Sequence, residues 1–282
     1  MDDLILLCLI FFLIVRIIGL LVAIDFFHDT KDSKFIIILL GWFFWIIATI
    51  FPILINFMKT TYLNELFLVL NVLFAVMGTL FYMWGFLSYY LSIPFKILIL
   101  ISAFTITMPL LLYYLINYAV AVQFTAFILN FILITAYIIP PIVKKKFIKF
   151  MGKSVRWYLA TIIVFVSYFP LSGIAFFLGY SYGLYDAENV LLIIIYYTPT
   201  ITSTILIILM LVHLEYTMSS RKNFELKDKF SHELGNIMQV INSSADLLKI
   251  RANLNEDEKS NLKLIDVKCQ EASKLIKEIR NI

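Results

Sequence analysis

The sequence predicts an all-α protein: a polytopic seven-helix membrane domain followed by a cytoplasmic antiparallel helical hairpin that dimerises into a four-helix bundle. Three observations predict it. Of 282 residues, 62% are hydrophobic and 15% are charged, and the mean hydropathy is +0.93, far outside the soluble globular range. The apolar residues up to position 213 are gathered into runs long enough to cross a bilayer. Past His213 the chain turns polar within one helical turn, and apolar residues then recur at gaps of three and four, the helix period.

The first run follows an acidic start, Met1-Asp2-Asp3. A secretory signal peptide has a basic start and a shorter apolar core, so this run is read as a retained span. Spanning runs are expected at 4–27, 35–57, 65–90, 96–117, 119–143, 157–180 and 190–213. Tyr118 marks the tightest junction, where the fourth and fifth runs have almost nothing between them. Seven spans put the termini on opposite sides. With the N-terminus outside, the inner loops hold Lys31, Lys34, Lys96, Lys144, Lys145, Lys146, Lys149, Lys153 and Arg156, and the outer loops hold only Lys59. Basic residues collect in short cytoplasmic loops, so this orientation is the expected one, in the cell (plasma) membrane with the C-terminal tail inside. Three segments follow: 1–213, the membrane domain; 214–223, a helical linker; and 224–282, the hairpin.

Inside the spans, Arg16 and Asp25 lie nine residues apart, on opposing faces of one helix. Charges in hydrocarbon face a bundle interior or cavity, which makes Arg16, near mid-span, either a sensing residue or a structural one. Pro52, Pro109, Pro140, Pro141, Pro170 and Pro199 fall in or near spans, where kinks are ordinary. The 26 Phe and 16 Tyr include clusters at span ends (Tyr82, Trp84, Tyr89 and Tyr90; Tyr180, Tyr182 and Tyr185) that read as interfacial belts. His28 and His213 read as isolated interfacial residues. The last span has no lysine for a retinal Schiff base. Lys144–Lys146 with Lys149 and Lys153 read as a topogenic charge run that can also meet anionic lipid. Cys8 and Cys269 have no metal-ligand spacing around them and lie in different regions, which argues against a disulfide. No cofactor and no nucleic-acid partner is expected of this chain.

From Leu214 to Asp228 there is no Gly or Pro, so the last span is expected to continue as a helix toward the tail. In Phe230–Leu248, Phe230, Leu234, Ile237, Ile241 and Leu248 form an apolar stripe, with Ser244 in the remaining seam position. His232, Asn236, Gln239, Ser243 and Asp246 follow the same rhythm on the other side. At about 100° per residue, His232 lies roughly 160° from Phe230 and Leu234, and its imidazole faces water. Glu233 is its neighbour, and Asn236 stands one turn further along its face. A break is expected at about Ala252–Glu256, with Asn255 capping a second helix whose first turn carries Glu256, Asp257 and Glu258. That helix presents Leu262, Ile265, Cys269, Ala272, Ile276 and Ile279. Two such helices leave apolar surface uncovered, and pairing two hairpins covers it, so a homodimer is expected.

Phe230-Ser231-His232-Glu233-Leu234 with Asn236 resembles the dimerisation and phosphoacceptor domain of sensor histidine kinases, over roughly the last 60 residues. Gly235 stands where the family usually has a basic residue, and Ile237 where it often has Pro. The resemblance implies a two-component phosphorelay: His232 accepts the phosphoryl group, Glu233 polarises the imidazole as its acid/base partner, and Asn236 positions water when a response regulator is dephosphorylated. A response-regulator aspartate is then a partner. The family's ATP-binding domain has no counterpart after Leu248, so ATP and Mg are implied on a partner or a missing catalytic domain. The expectation is a truncated or split kinase, or a phosphotransfer partner, that does not autophosphorylate alone. The alternative is a seven-helix receptor or transporter whose tail is a non-catalytic dimerising coiled coil. Residue 236 is Asn and no second His follows, which excludes the zinc-protease helix motif. Asn242-Ser243-Ser244 fits the glycosylation pattern, but within a helix on the inner side. No acid, base or metal cluster converges within the spans.

Overall fold

A computed structural model describes residues 2–57, 61–164, 190–251 and 256–281. These are helical throughout apart from short turns, and no strand occurs among the described residues. The helices are α1 Asp2–Thr30, α2 Phe35–Ile55, α3 Thr61–Leu87, α4 Phe95–Leu115, α5 Tyr118–Ile142, α6 Lys144–Met151, α7 over residues 155–164, α8 Val190–Arg251 and α9 Glu256–Asn281. They fall into two compact units, Met1–Thr217 and Met218–Ile282.

Among the described residues, five helices are long and apolar enough to cross a membrane: Leu4–Thr30, Phe35–Ile55, Tyr62–Leu87 and Phe95–Leu115 in the first unit, and Val190–Ile250, which begins there and runs on into the second; α5 adds the shorter apolar stretch Tyr118–Leu133. The composition thus makes a membrane protein of this chain. Of the sixth expected span only residues 157–164 are described. Pro170, Lys59 and the Tyr180–Tyr185 cluster lie outside the described residues, as does the Asn255 cap. The junction at Tyr118 takes a definite form: α4 ends at Leu115, and the Asn117 side chain accepts a hydrogen bond from the Val120 N–H at 2.9 Å, starting α5.

Helix α2 packs between α1 and α3, α3 packs on α4 and α5, and α1 meets α8 through Ile5, Leu9, Ile193, Tyr196 and Tyr197. The α2–α3 contact is close because glycines face each other. A Cβ on Gly41 would stand 2.7 Å from the Tyr82 backbone nitrogen, and one on Gly78 would stand 2.9 Å from the Gly41 carbonyl oxygen. In lipid, where hydrophobicity does not draw helices together, small residues let backbones approach and dispersion holds them.

A polar thread crosses this packed centre. Arg16 Nη1 donates to the Trp45 carbonyl oxygen and, at 2.6 Å, to Thr49 Oγ1. Its guanidinium carbon sits 3.9 Å from the Phe12 ring centroid. Trp45 Nε1 donates onward to Thr79 Oγ1 at 3.1 Å. Arg16 is therefore bonded to α2 and linked through Trp45 to α3, whereas Asp25 is exposed.

Two sequence readings change. Tyr82, Trp84 and Tyr90 are 4%, 7% and 7% exposed, so they are core residues rather than an interfacial belt. The reason is that α3 is the central helix: its end is covered by α6, where Phe147 meets Tyr90 edge to face and Phe150 stacks on Tyr89. Nor is His213 isolated. Its Nε2 lies 3.1 Å from Arg156 Nη2, a permanent donor, and its Nδ1 lies 2.9 Å from the Leu209 carbonyl oxygen, so the neutral ring carries its proton on Nδ1. Trp157 packs on the same ring at 5.3 Å.

One end of this unit gathers the basic residues. Lys34, after α1, donates to the Ser88 carbonyl oxygen at 3.2 Å, beyond α3. α6 reaches the same place through Phe147 and Phe150, while its Lys144, Lys145, Lys146 and Lys149 stay exposed.

Candidate functional site

The second unit holds the residues singled out for chemistry. The helix that carries them, α8, is uninterrupted from Val190 to Arg251; the lack of Gly and Pro from Leu214 to Asp228 predicts its continuation past the last span, and it also runs on through Gly235. α9 begins at Glu256 with Glu256, Asp257 and Glu258 in its first turn, where carboxylates meet the positive end of the helix dipole. The two helices are joined across the hairpin by Lys249, whose Nζ lies 3.3 Å from Asp246 Oδ1 on its own helix and 3.3 Å from Asp266 Oδ2 on α9. Hydrogen bonds to Asp266 and then Asp246 raise the Lys249 pKa.

The face that α8 turns into the hairpin is not the bulky stripe. Ser231 and Ala245 are buried, and Leu234, Met238 and Asn242 are half-buried, at gaps of three and four. Opposite them, α9 buries Leu262 and Cys269 and half-buries Ala272 and Ile276. Phe230, Ile237, Ile241 and Leu248 stay 63%, 54%, 41% and 53% exposed. Ile265, expected in the α9 seam, is exposed instead, and the Ile279 side chain lies outside the described ones. The physical reason is size. Two helices approach most closely where side chains are small, so Ser231 and Ala245 sit between them and the branched residues are left on the flank. The rows of small residues at 231 and 245 are the signal that the apolar periodicity alone conceals. Lys249 was equally hidden, because its partner Asp266 is 17 positions away.

His232, Glu233 and Asn236 are all exposed. His232 and Asn236, four residues apart, share a face of α8, and Glu233 is next to it. The His232 imidazole makes no hydrogen bond among the described residues, so both ring nitrogens are open to a reactant. Glu233 is approached by Lys229 Nζ at 3.9 Å, an i, i+4 pair in which both partners are well exposed and which water and salt weaken. Nothing lies within 4 Å of the position a Cβ would take at Gly235, which leaves the helix surface beside His232 uncrowded on that side. An accessible imidazole can act as a nucleophile through a ring nitrogen. The neighbouring carboxylate can hold the opposite N–H once charge develops, and an amide one turn on can orient a water.

Both cysteines are free. Among the described residues no group of three or more His, Cys, Asp or Glu is arranged to hold a metal ion. No family model, curated protein or solved structure matches the chain.

Proposed function

We propose that this protein is a membrane sensor of a two-component phosphorelay, in which His232 carries a phosphoryl group and passes it to a response-regulator aspartate. The observation that carries the reading is the exposed His232-Glu233 pair with Asn236 on the same helix face, in a helical hairpin whose bulky apolar flank is uncovered. In the forward step a ring nitrogen of His232 attacks the γ-phosphorus of ATP supplied, with Mg, by a separate catalytic domain. ADP leaves, and Glu233 stabilises the imidazolium through the other nitrogen. The phosphoramidate is high in energy, and the aspartate carboxylate of the regulator displaces the imidazole. Asn236 positions water against the phosphorylated regulator in the reverse, phosphatase role.

Seven spans in the plasma membrane, with the N-terminus outside and the tail cytoplasmic, complete this account. The gathering of Lys34, Lys144–Lys146 and Lys149 at one end of the membrane unit supports that orientation. Two hairpins pair through Phe230, Ile237, Ile241 and Leu248 into a homodimeric four-helix bundle. Anionic lipid meets the exposed lysines of α6.

The same uncovered flank favours a second reading: a seven-helix receptor or transporter whose tail only dimerises. A pair of variants separates the two in cells. His232→Gln abolishes signalling under the phosphorelay and leaves it intact under the second reading. Ile237→Asp abolishes it under both.

A further inference from the structure

We propose that the membrane unit holds a site for a small uncharged aromatic molecule, of the size of a single ring, in the cavity that α1, α2, α3 and α8 enclose with α5, α6 and α7. The cavity has a volume of about 160 Å³, and its wall is mostly apolar. An apolar cavity of roughly 150 Å³ stays dry and takes up benzene, so a single ring is the guest that fits in size.

Three features select an uncharged ring. First, the threonine and serine protons on the wall are already used. Thr79, Thr161, Thr200, Ser203 and Thr204 line the cavity, and each donates its hydroxyl to a carbonyl oxygen of its own helix. A hydroxyl turned back on its helix offers a guest no proton. Second, the charge on the wall is engaged. Arg16 bonds to Trp45 and Thr49 of α2 and packs its guanidinium on the Phe12 ring. Among the described residues, no Asp, Glu, Lys or His lines the cavity. A charged guest would shed its water for a wall whose cation already has partners and which holds no anion, and that transfer is costly. Third, a row of rings borders the space. Trp45, Tyr82 and Phe86 all line it, with ring centroids 5.0 Å apart between Trp45 and Tyr82 and 4.8 Å apart between Tyr82 and Phe86. At such spacing ring pairs attract beyond the burial of their area. A flat aromatic guest extends the row and gains that attraction, whereas an alkyl chain gains burial alone.

This site stands on the membrane unit alone and does not depend on chemistry at His232. The test is photolabelling of the full chain in lipid nanodiscs with tritiated phenyldiazirine, an uncharged single-ring reagent, followed by peptide mapping. Saturable label is expected on the peptides that carry Met83 of α3 and Met210 of α8, both of which line the cavity. Toluene should displace it, hexane should do so more weakly, and benzoate and benzylammonium should not. Ala75→Leu and Ser203→Phe add bulk to the cavity wall from α3 and from α8. Each is expected to lower the saturable label about ten-fold, which is the lost burial of roughly two methylene-sized groups. Thermal midpoints report whether each variant folds, and if one does not, the other decides. The proposal is overturned by label that only rises in proportion to the reagent, as partition into lipid gives. It is equally overturned if hexane, benzoate or benzylammonium displaces the label as well as toluene does, or if the folded variants label as the parent does. None of these results bears on phosphotransfer, which is read separately.

Discussion

Gly235 lies three positions after His232 in a helix interior, with open space where a side chain would go. Helix propensity alone then governs a substitution there. Gly235→Ala is expected to stabilise this turn by about 1 kcal/mol, because alanine leaves the unfolded chain less backbone freedom to lose. Hydrogen exchange of the amides around His232 in the full chain checks it: opening should become about five-fold rarer, the exponential of that energy over RT. Unchanged exchange would mean that neighbours, not propensity, hold the turn. At this scale the sequence was informative where a residue's neighbours are its own helix. His232 and Asn236 come out exposed as periodicity predicts, because exposure on a lone helix face follows from angle. It was uninformative where a partner comes from another helix. Nothing in the local sequence marks Arg16 as bonded to Trp45 and Thr49, or His213 as bonded to Arg156.

Elements obey the same division. The α2–α3 contact rests on Gly41 and Gly78, whose Cβ positions fall within 3 Å of the facing backbone. Backbone cannot rotate away as a side-chain tip can, so Gly41→Val must push the helices apart. A loss of about 1–3 kcal/mol or more is expected, seen as a lower thermal midpoint of the membrane unit, whereas an unchanged midpoint would remove the glycines from the account of packing. In the tail, Lys249 joins α8 to α9. Its pKa is raised above its ordinary value of 10.5, first by Asp266 and then by Asp246, so the folded hairpin holds this proton more tightly than the unfolded chain. The stabilisation is complete below the unfolded value and is lost as pH rises through the higher folded value. Circular dichroism melts of the full chain should therefore show a gap between parent and Lys249→Met that is constant from neutral pH to about 10 and closes above it. A gap that widens at high pH would contradict the bridge. The α9 seam was legible at Leu262 and Cys269 and misleading at Ile265, because a heptad-like pattern names a stripe without saying which flank meets the first partner.

For the whole molecule, the all-helical class and the membrane character follow directly from hydropathy, since a bilayer admits few other backbones. The seven-span arrangement and the dimer are proposals at this scale, and each has a direct check. In a background without Cys8 and Cys269, Lys59→Cys should react with an impermeant thiol reagent on intact cells. Arg221→Cys should react only after the membrane is opened. The opposite pattern would invert the orientation. Cross-linking of the full chain in membranes should give dimers that Ile237→Asp with Ile241→Asp removes, because those side chains are on the uncovered flank. Dimers that persist unchanged would place the interface elsewhere.

Phosphoryl transfer at His232 separates a phosphorelay sensor from a membrane protein whose tail only dimerises. The most direct measurement incubates the full chain in nanodiscs with radiolabelled ATP, Mg and a histidine-kinase catalytic domain, and in parallel with a phosphorylated response regulator. Acid-labile, alkali-stable label on the chain is expected from at least one donor, absent in His232→Gln and chased by an unlabelled regulator. A folded dimer that takes no label from either donor, or label that survives His232→Gln, would contradict it.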